Sequence, residues 1–268
     1  MIVELTENMI QDAFAKTGID QKYYPQYEAE VKRRYKALQE DDPDYEESPD
    51  KDNAHISIEL TNEYIVYYVA EIEKGHCQQW ANLYAFYSVS RENEYWIVRY
   101  ALDAIEKNER DKELDIHAKS INTDPIFVDR YIFLFDLGEP DVKEKAEDYC
   151  RAYHKCIELG KSEIYAHAYA DVVNEDYYEE FCEIYAEAYE VATNHGQDDT
   201  EAYWFGEFCT DAADQGYWLK LDSFNKEFKE DWQKEFYMLL IKRELEQEEK
   251  RPLTAREIKE LRDEILCN

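Results

Sequence analysis

Punctuating residues are scarce: the chain carries seven Gly and six Pro in 268 residues. A β-sandwich or barrel needs turn signals roughly every 8–12 residues, more than so few breakers can supply. Long apolar runs are missing as well. Uninterrupted ones such as Tyr131 to Phe135 and Phe236 to Ile241 fall far short of the roughly 20 residues that cross a bilayer. No basic start followed by an apolar stretch suggests a secretory leader, so a soluble, cytoplasmic protein is expected.

Positive charge is in deficit. There are 31 Lys and Arg against 63 Asp and Glu, giving a formal net charge of -32. Phosphates would be repelled, which argues against direct binding to nucleic acid and makes a basic protein surface the natural complement. The six cysteines, Cys77, Cys150, Cys156, Cys182, Cys209 and Cys267, include no C-x-x-C pair. Their spacing predicts reduced, buried thiols and neither a disulfide framework nor a zinc knuckle.

Catalytic signatures are also lacking. The chain contains no G-x-S-x-G, phosphate loop, G-x-G-x-x-G or H-E-x-x-H, and His117, His154, His167 and His195 have no sequence-adjacent partner that defines a triad. Glu73-x-x-His76 has the spacing used in carboxylate-bridged di-iron bundles, but such a site needs a second copy, and the repeat described below puts Glu158 and Lys161 at the matching places. The expectation is therefore a non-enzymatic protein with no catalytic residues, no cofactor and no metal site.

What is abundant is helix-forming sequence and tyrosine, of which there are 24 copies. Thr6 predicts an N-cap and Gly18 a stop, and Asp20 precedes a segment with Tyr24, Tyr27, Val31, Tyr35 and Leu38 at intervals of three and four. Residues 1–39 thus form an N-terminal helical segment. Residues 40–53, EDDPDYEESPDKDN, are too polar to bury and read as an acidic linker. Ile56, Ile58 and Leu60 alternate, predicting either a short extended piece or the approach to a helix capped by Thr61 or Asn62; besides Ile2 to Leu5 this is the sole candidate strand.

From 54 to 216 the sequence repeats itself. With Gly75 laid on Gly160, Tyr64, Tyr68 and Ile72 fall on Tyr149, Tyr153 and Ile157, Trp80-Ala81 on Tyr165-Ala166, Tyr84-Ala85 on Tyr169-Ala170, Trp96 on Phe181 and Tyr100-Ala101 on Tyr185-Ala186. A third copy follows, with Tyr185, Tyr189, Gly196, Ala202 and Gly206 in the places of Tyr149, Tyr153, Gly160, Ala166 and Ala170. The glycine serves as a left-handed helix stop, and Ser162 or Asp198, two residues on, as the next cap. Tyr beside Ala predicts close helix packing. The period is near that of tetratricopeptide and Sel1-like arrays, but their Trp, Leu-Gly and Pro placements are absent, so no family is assigned.

The fold class expected is all-α: antiparallel helix-turn-helix repeats stacked as an irregular solenoid or helical array, with flanking N- and C-terminal helices. Asp124 before Pro125 starts a helix that Gly138 ends. Residues 217–268 supply C-terminal capping helices, one carrying Phe224, Phe228, Trp232, Phe236 and Leu240 at intervals of four and one opened by a Thr254/Glu257 capping box.

One charge pattern rises above this background. From Ser162 to Leu219, 58 residues contain fifteen Asp or Glu and no Lys or Arg. Within it, Asp176, Glu179, Glu180, Glu183, Glu187 and Glu190 run two positions ahead of the apolar stripe Tyr178, Phe181, Cys182, Tyr185, Tyr189 and Ala192. Two residues are about 200° of helix rotation, which predicts an acidic ridge opposite the core, about 21 Å long with a carboxylate about every 6 Å. That spacing is of the order of consecutive phosphates on a strand. The leading expectation is a binding protein whose ridge occupies a basic, nucleic-acid-binding surface of a partner. Anti-restriction and anti-CRISPR inhibitors include acidic proteins of this general kind, a likeness of charge alone. The alternatives are an adaptor that holds a peptide in a Tyr-lined groove, and an enzyme or metal protein with a site between helices.

Overall fold

The computed structural model of the chain describes residues 4–40, 52–139, 141–173 and 178–266. Among these residues all regular structure is helical, and consecutive helices pack against one another. Two compact units, Met1–Val142 and Lys143–Asn268, share the region expected to be one array.

In the first unit, α1 (Glu7–Thr17) opens where the Thr6 hydroxyl accepts the Met9 N–H and closes at Gly18, with φ 72°. Asp20 caps a 3₁₀ turn, Gln21–Tyr23, that runs into α2 (Tyr24–Glu40). Most of the expected linker, residues 41–51, lies outside the described residues. The alternating Ile56, Ile58 and Leu60 are helical and not extended. Asp52 accepts the His55 N–H at 3.1 Å and starts α3 (Asn53–Lys74), well before Thr61 or Asn62. With no strand beside it, this segment satisfies its backbone groups only as helix. Ser57 and Thr61 fit the helix by donating their hydroxyls to the carbonyls of Asn53 and Ser57. Of the other candidate strand, Ile2 and Val3 lie outside the described residues, and Glu4 and Leu5 adopt no regular structure.

The unit continues through α4 (Gln78–Val89), α5 (Glu94–Asp103), α6 (Lys107–Ile121) and α7 (Pro125–Leu137). Each packs on its predecessor, and α6 also returns to touch α3. A core of Phe14, Tyr27, Val31, Tyr64, Ile65 and Tyr68 joins α1, α2 and α3.

The second unit holds α8 (Val142–Glu158), α9 (Glu163–Val173), α10 (Glu179–Asn194), α11 (Asp199–Gln215), α12 (Tyr217–Glu227), α13 (Asp231–Glu249) and α14 (Ala255–Leu266). The aromatic stripe from Phe224 to Leu240 does not form one straight helix. It breaks after Phe228, whose backbone is extended, and α13 restarts at a capping box between Glu230 and Gln233. The chain folds back so that Phe224 stacks on Tyr237 at 4.1 Å and Phe205 meets Phe228, Trp232 and Phe236. Burying both halves of the stripe on α11 outweighs helix continuity. Three helices therefore follow Gly216, where the sequence suggested two. The last begins at the expected Thr254/Glu257 box, whose glutamate the Arg251 guanidinium holds down to about 2.

The repeat is written in hydrogen bonds as well as residues. At Gly75, Gly160 and Gly196, φ is 100°, 77° and 84°. In each turn the glycine N–H donates to the carbonyl three residues back and the next N–H to the carbonyl five back, at 2.9–3.2 Å. Two residues on, Ser162 and Asp198 accept the N–H groups of Tyr165 and Glu201 as expected. Cys77 stands at the matching place in the first copy, and its Sγ accepts the Trp80 N–H at 3.4 Å.

Tyr149, Tyr153, Tyr165, Tyr169 and Tyr185 are all buried, while Tyr189 is half-buried with its hydroxyl reaching Asp199. The alanines of the repeat, Ala81, Ala85, Ala166, Ala170 and Ala202, are fully covered. The pattern lapses at Trp96 and Tyr100, which are 50% and 40% exposed, because α5 buries its aliphatic face, Ile97, Val98, Ala101 and Leu102, instead.

No helix among the described residues is long and apolar enough to cross a membrane. Cys77, Cys150, Cys156, Cys182 and Cys209 are thiols, all buried but the half-buried Cys77, and burial pushes the Cys182 thiol up to about 11.

Candidate functional site

The acidic ridge lies on α10, and the structure divides its members. Glu180 and Glu183 are exposed, as expected of a face turned from the core. Glu179 is exposed but sits 2.7 Å from the Lys155 ammonium, which draws its carboxyl below the usual range. Glu187 is half-buried between Arg243 of α13 and Lys161, and Glu190, also half-buried, accepts the Ser162 hydroxyl. Asp176 lies outside the described residues. A continuous outward ridge is therefore not what α10 presents. The helix packs against α9, α11 and α13, and only Glu179, Glu180, Glu183 and Asn194 along it are exposed.

The cation-free block is similarly compensated from outside itself. Lys155, Lys161, Lys220 and Arg243 all lie beyond residues 162–219 in sequence, yet they reach Glu179, Glu187 and Asp211 within the unit. Folding brings counter-charges to positions that helical spacing alone leaves unpaired.

Most of the repeated tyrosines are core residues, although Tyr64 also borders a pocket of about 360 Å³ lined from α2, α3 and α4. A groove of about 810 Å³ does exist in the second unit, built from the start of α10, one face of α11 and the end of α12. Its apolar lining is Tyr178, Phe181, Trp204, Phe208 and Phe228, and its polar lining is Thr210 with Glu207, Asp211, Asp214 and Glu227. Trp204 is 63% and Tyr178 77% exposed, a large aromatic surface to leave in water. The described lining holds no cation, although Lys220 pairs with Asp211 at its edge. On α11, Trp204, Glu207, Phe208 and Asp211 follow at intervals of three, one and three, so one helical face alternates ring and carboxylate. That mixed stripe was readable in the sequence. Assigning acids and apolar residues to opposite faces of a helix hides it.

A second constellation lies in the core of the first unit. Glu71, in the last turn of α3, His76, just past Gly75, and Glu113 and His117 on α6 are all buried. The Glu113 carboxylate is 2.6 Å from His76 Nδ1 and also accepts the Cys77 N–H at 3.2 Å. Glu71 accepts from the Trp80 indole at 2.8 Å and pairs with Lys74 at 2.7 Å. Trp80 in turn stacks on the His76 ring, 4.4 Å away and 6° from parallel. Burial pushes the His76 pKa down, against the hydrogen bond it donates to Glu113, and drives that of His117 to about 3. The sequence singled out Glu73 beside His76, but it is Glu71 that approaches the imidazole. Helix closure explains the difference: the turn at Gly75 carries His76 back over the residue five positions earlier, whose carbonyl binds the His76 N–H.

Comparison with protein-family models, with curated proteins and with solved structures finds no match to this chain, so its groove and its buried cluster are read on their own chemistry.

Proposed function

We propose that this protein is a non-catalytic binding module that captures a basic segment of a partner protein in the acidic, aromatic groove of its second unit. The observation that carries the reading is the composition of that groove. Four carboxylates and five rings converge there, with Trp204 and Tyr178 exposed. An Arg or Lys side chain matches both parts, since its charge meets the carboxylates while its stem or guanidinium plane lies on a ring. An apolar ligand would match the rings but not the carboxylates, and an anion would be repelled. The exposed Glu180 and Glu183 of α10 extend the negative surface and favour encounter with a basic partner. A basic segment held this way is withheld from phosphate, so inhibition of a nucleic-acid-binding partner follows as a consequence of capture.

Titration with an arginine-rich peptide, followed by tryptophan fluorescence, tests the reading. Binding should weaken with added salt. Trp204→Ala, and separately Asp214→Lys with Glu227→Lys, should each weaken it about tenfold or more, since one desolvated cation–π contact contributes up to about 2 kcal/mol and tenfold is about 1.4 kcal/mol. Reversing the exposed pair Glu180 and Glu183 should mainly slow association. Reversing Lys226, Lys229 and Lys234 to Glu is the control. If the α10 reversal abolishes binding and the groove variants do not, the ridge is the contact surface and the groove reading fails. If every variant binds as the parent does, the acidity only keeps the chain in solution.

A further inference from the structure

A different observation, independent of the groove, concerns the buried cluster of the first unit. We propose that Glu71, His76 and His117 form a binding site for a divalent first-row transition metal such as zinc, with Glu113 as the residue that orients His76. One donor atom from each of the three lies within 4.8 Å of the other two. His76 Nε2 and Glu71 Oε2 are 3.4 Å apart, and two ligands about 2.0–2.1 Å from a tetrahedral ion are separated by roughly that distance. The His117 donor lies within 4.8 Å of both, wider than the roughly 3.4 Å between ligands of a tetrahedral ion, so its imidazole closes in to complete the set.

The hydrogen bonds favour an ion over an empty core. Glu113 accepts from the Cys77 N–H and faces His76 Nδ1, which assigns the proton of the neutral imidazole to Nδ1. The lone pair of Nε2 then points toward Glu71 Oε2, an oxygen that is itself an acceptor from Trp80. Two acceptors in contact require something positive between them. Neither His76 Nε2 nor either ring nitrogen of His117 has a hydrogen-bond partner, and the two side chains are 0% and 1% exposed. Glu94 Oε1, 3.9 Å from His117 Nε2, is too distant to satisfy it. A carboxylate behind a histidine whose far nitrogen is free is the usual outer support of a metal-bound imidazole. Two nitrogens and one oxygen suit zinc and its neighbours better than calcium or magnesium, which take oxygen donors. The ligands come from α3, from the turn after it and from α6, so an ion would tie together parts of the chain some 40 residues apart.

The test uses the full chain stripped with a chelator, then given zinc, desalted and assayed for bound metal and for Tm. One retained equivalent with a raised Tm is expected, and cobalt in place of zinc should give the visible absorption of a low-coordinate nitrogen and oxygen site. His117→Phe and Glu71→Gln should each abolish the retained equivalent and the Tm rise. Phe at 117 removes two unpartnered nitrogens while keeping a ring, so the metal-free fold should survive. Glu113→Gln should weaken affinity about 10- to 100-fold without abolishing it, as for other residues that support a ligand. His55→Ala, an exposed histidine paired with Asp52, should change nothing. Failure of the parent chain to retain zinc or to give the cobalt spectrum would overturn the site and leave a proton on His76 as the bridging charge. Equal retention by His117→Phe and the parent would assign the metal to surface carboxylates, and should that variant not fold, the cobalt spectrum of the parent decides.

Discussion

Tyr185→Ala is expected to destabilise the second unit by about 3–5 kcal/mol, the range for truncating a large buried aromatic. The ring is 4% exposed, stacks along α10 on Tyr189 at 6.1 Å and meets Tyr203 of α11 edge-on at 6.3 Å. The ring also lies close against Gly206, where a Cβ would stand 2.8 Å from two ring carbons. That approach gives the prediction a second arm. Gly206→Ala alone should cost about 1–3 kcal/mol from the overlap, although Ala is the better helix former by about 1 kcal/mol. With Tyr185→Ala already made, the overlap is gone, and the same change should be neutral or favourable. The two substitutions are then non-additive with a sign that identifies the contact. Urea denaturation of the parent, both single variants and the double variant measures it. A loss under about 1 kcal/mol for Tyr185→Ala, or simple additivity, would mean that the ring does not fill this gap.

Trp80→Ala should be equally severe in the first unit, for a different reason. Trp80 is fully buried, stacks on His76 and donates its indole N–H to Glu71 at 2.8 Å. Truncation creates a cavity, at about 3–5 kcal/mol, and strips a buried carboxylate of a donor, at about 1–3 kcal/mol more. Trp80→Phe keeps most of the ring and loses only the donor, so it should cost about 1–3 kcal/mol and separate the two effects. Against the 5–15 kcal/mol that holds a typical domain together, Trp80→Ala should bring the unit near unfolding at ordinary temperature. Calorimetry of the three proteins decides, and a Trp80→Phe variant as stable as the parent would show that Glu71 does not depend on the indole.

The two effects come from one position in the repeat. Trp80 aligns with Tyr165, the first ring after the glycine turn, and both are buried at the start of their helices. In the first copy the ring is an indole, and its N–H meets a carboxylate on the preceding helix; in the second it is a phenol and His76 is replaced by Lys161, whose ammonium lies over the Tyr165 ring at 4.2 Å. A shared scaffold thus carries a buried polar cluster in one copy and an ordinary surface pairing in the other.

Local chemistry determined a good deal of this protein from sequence alone. Thr6, Asp124 and Asp198 as caps, Gly18, Gly75, Gly138, Gly160 and Gly196 as stops, and the Tyr and Ala periodicity are statements about residues within a few positions of one another, and the structure keeps the caps, the stops and the periodicity except at Trp96 and Tyr100. Spacing failed where the decision belonged to a remote partner. Ile56, Ile58 and Leu60 could be extended only beside another strand, and the stripe from Phe224 to Leu240 could stay one helix only if α11 did not offer both halves a surface.

Charge and site chemistry belonged to the tertiary structure for the same reason. A block of 58 residues without a cation is uncompensated as a string, yet Lys155, Lys161, Lys220 and Arg243 return to it in space. Glu71, His76 and His117 form no motif because α3 and α6 are separated by two helices in sequence and touch only once folded. Helical period fixes which residues share a face, whereas which face meets which, and so which carboxylate is paired, which ring stays open and which imidazole is buried, is settled by packing.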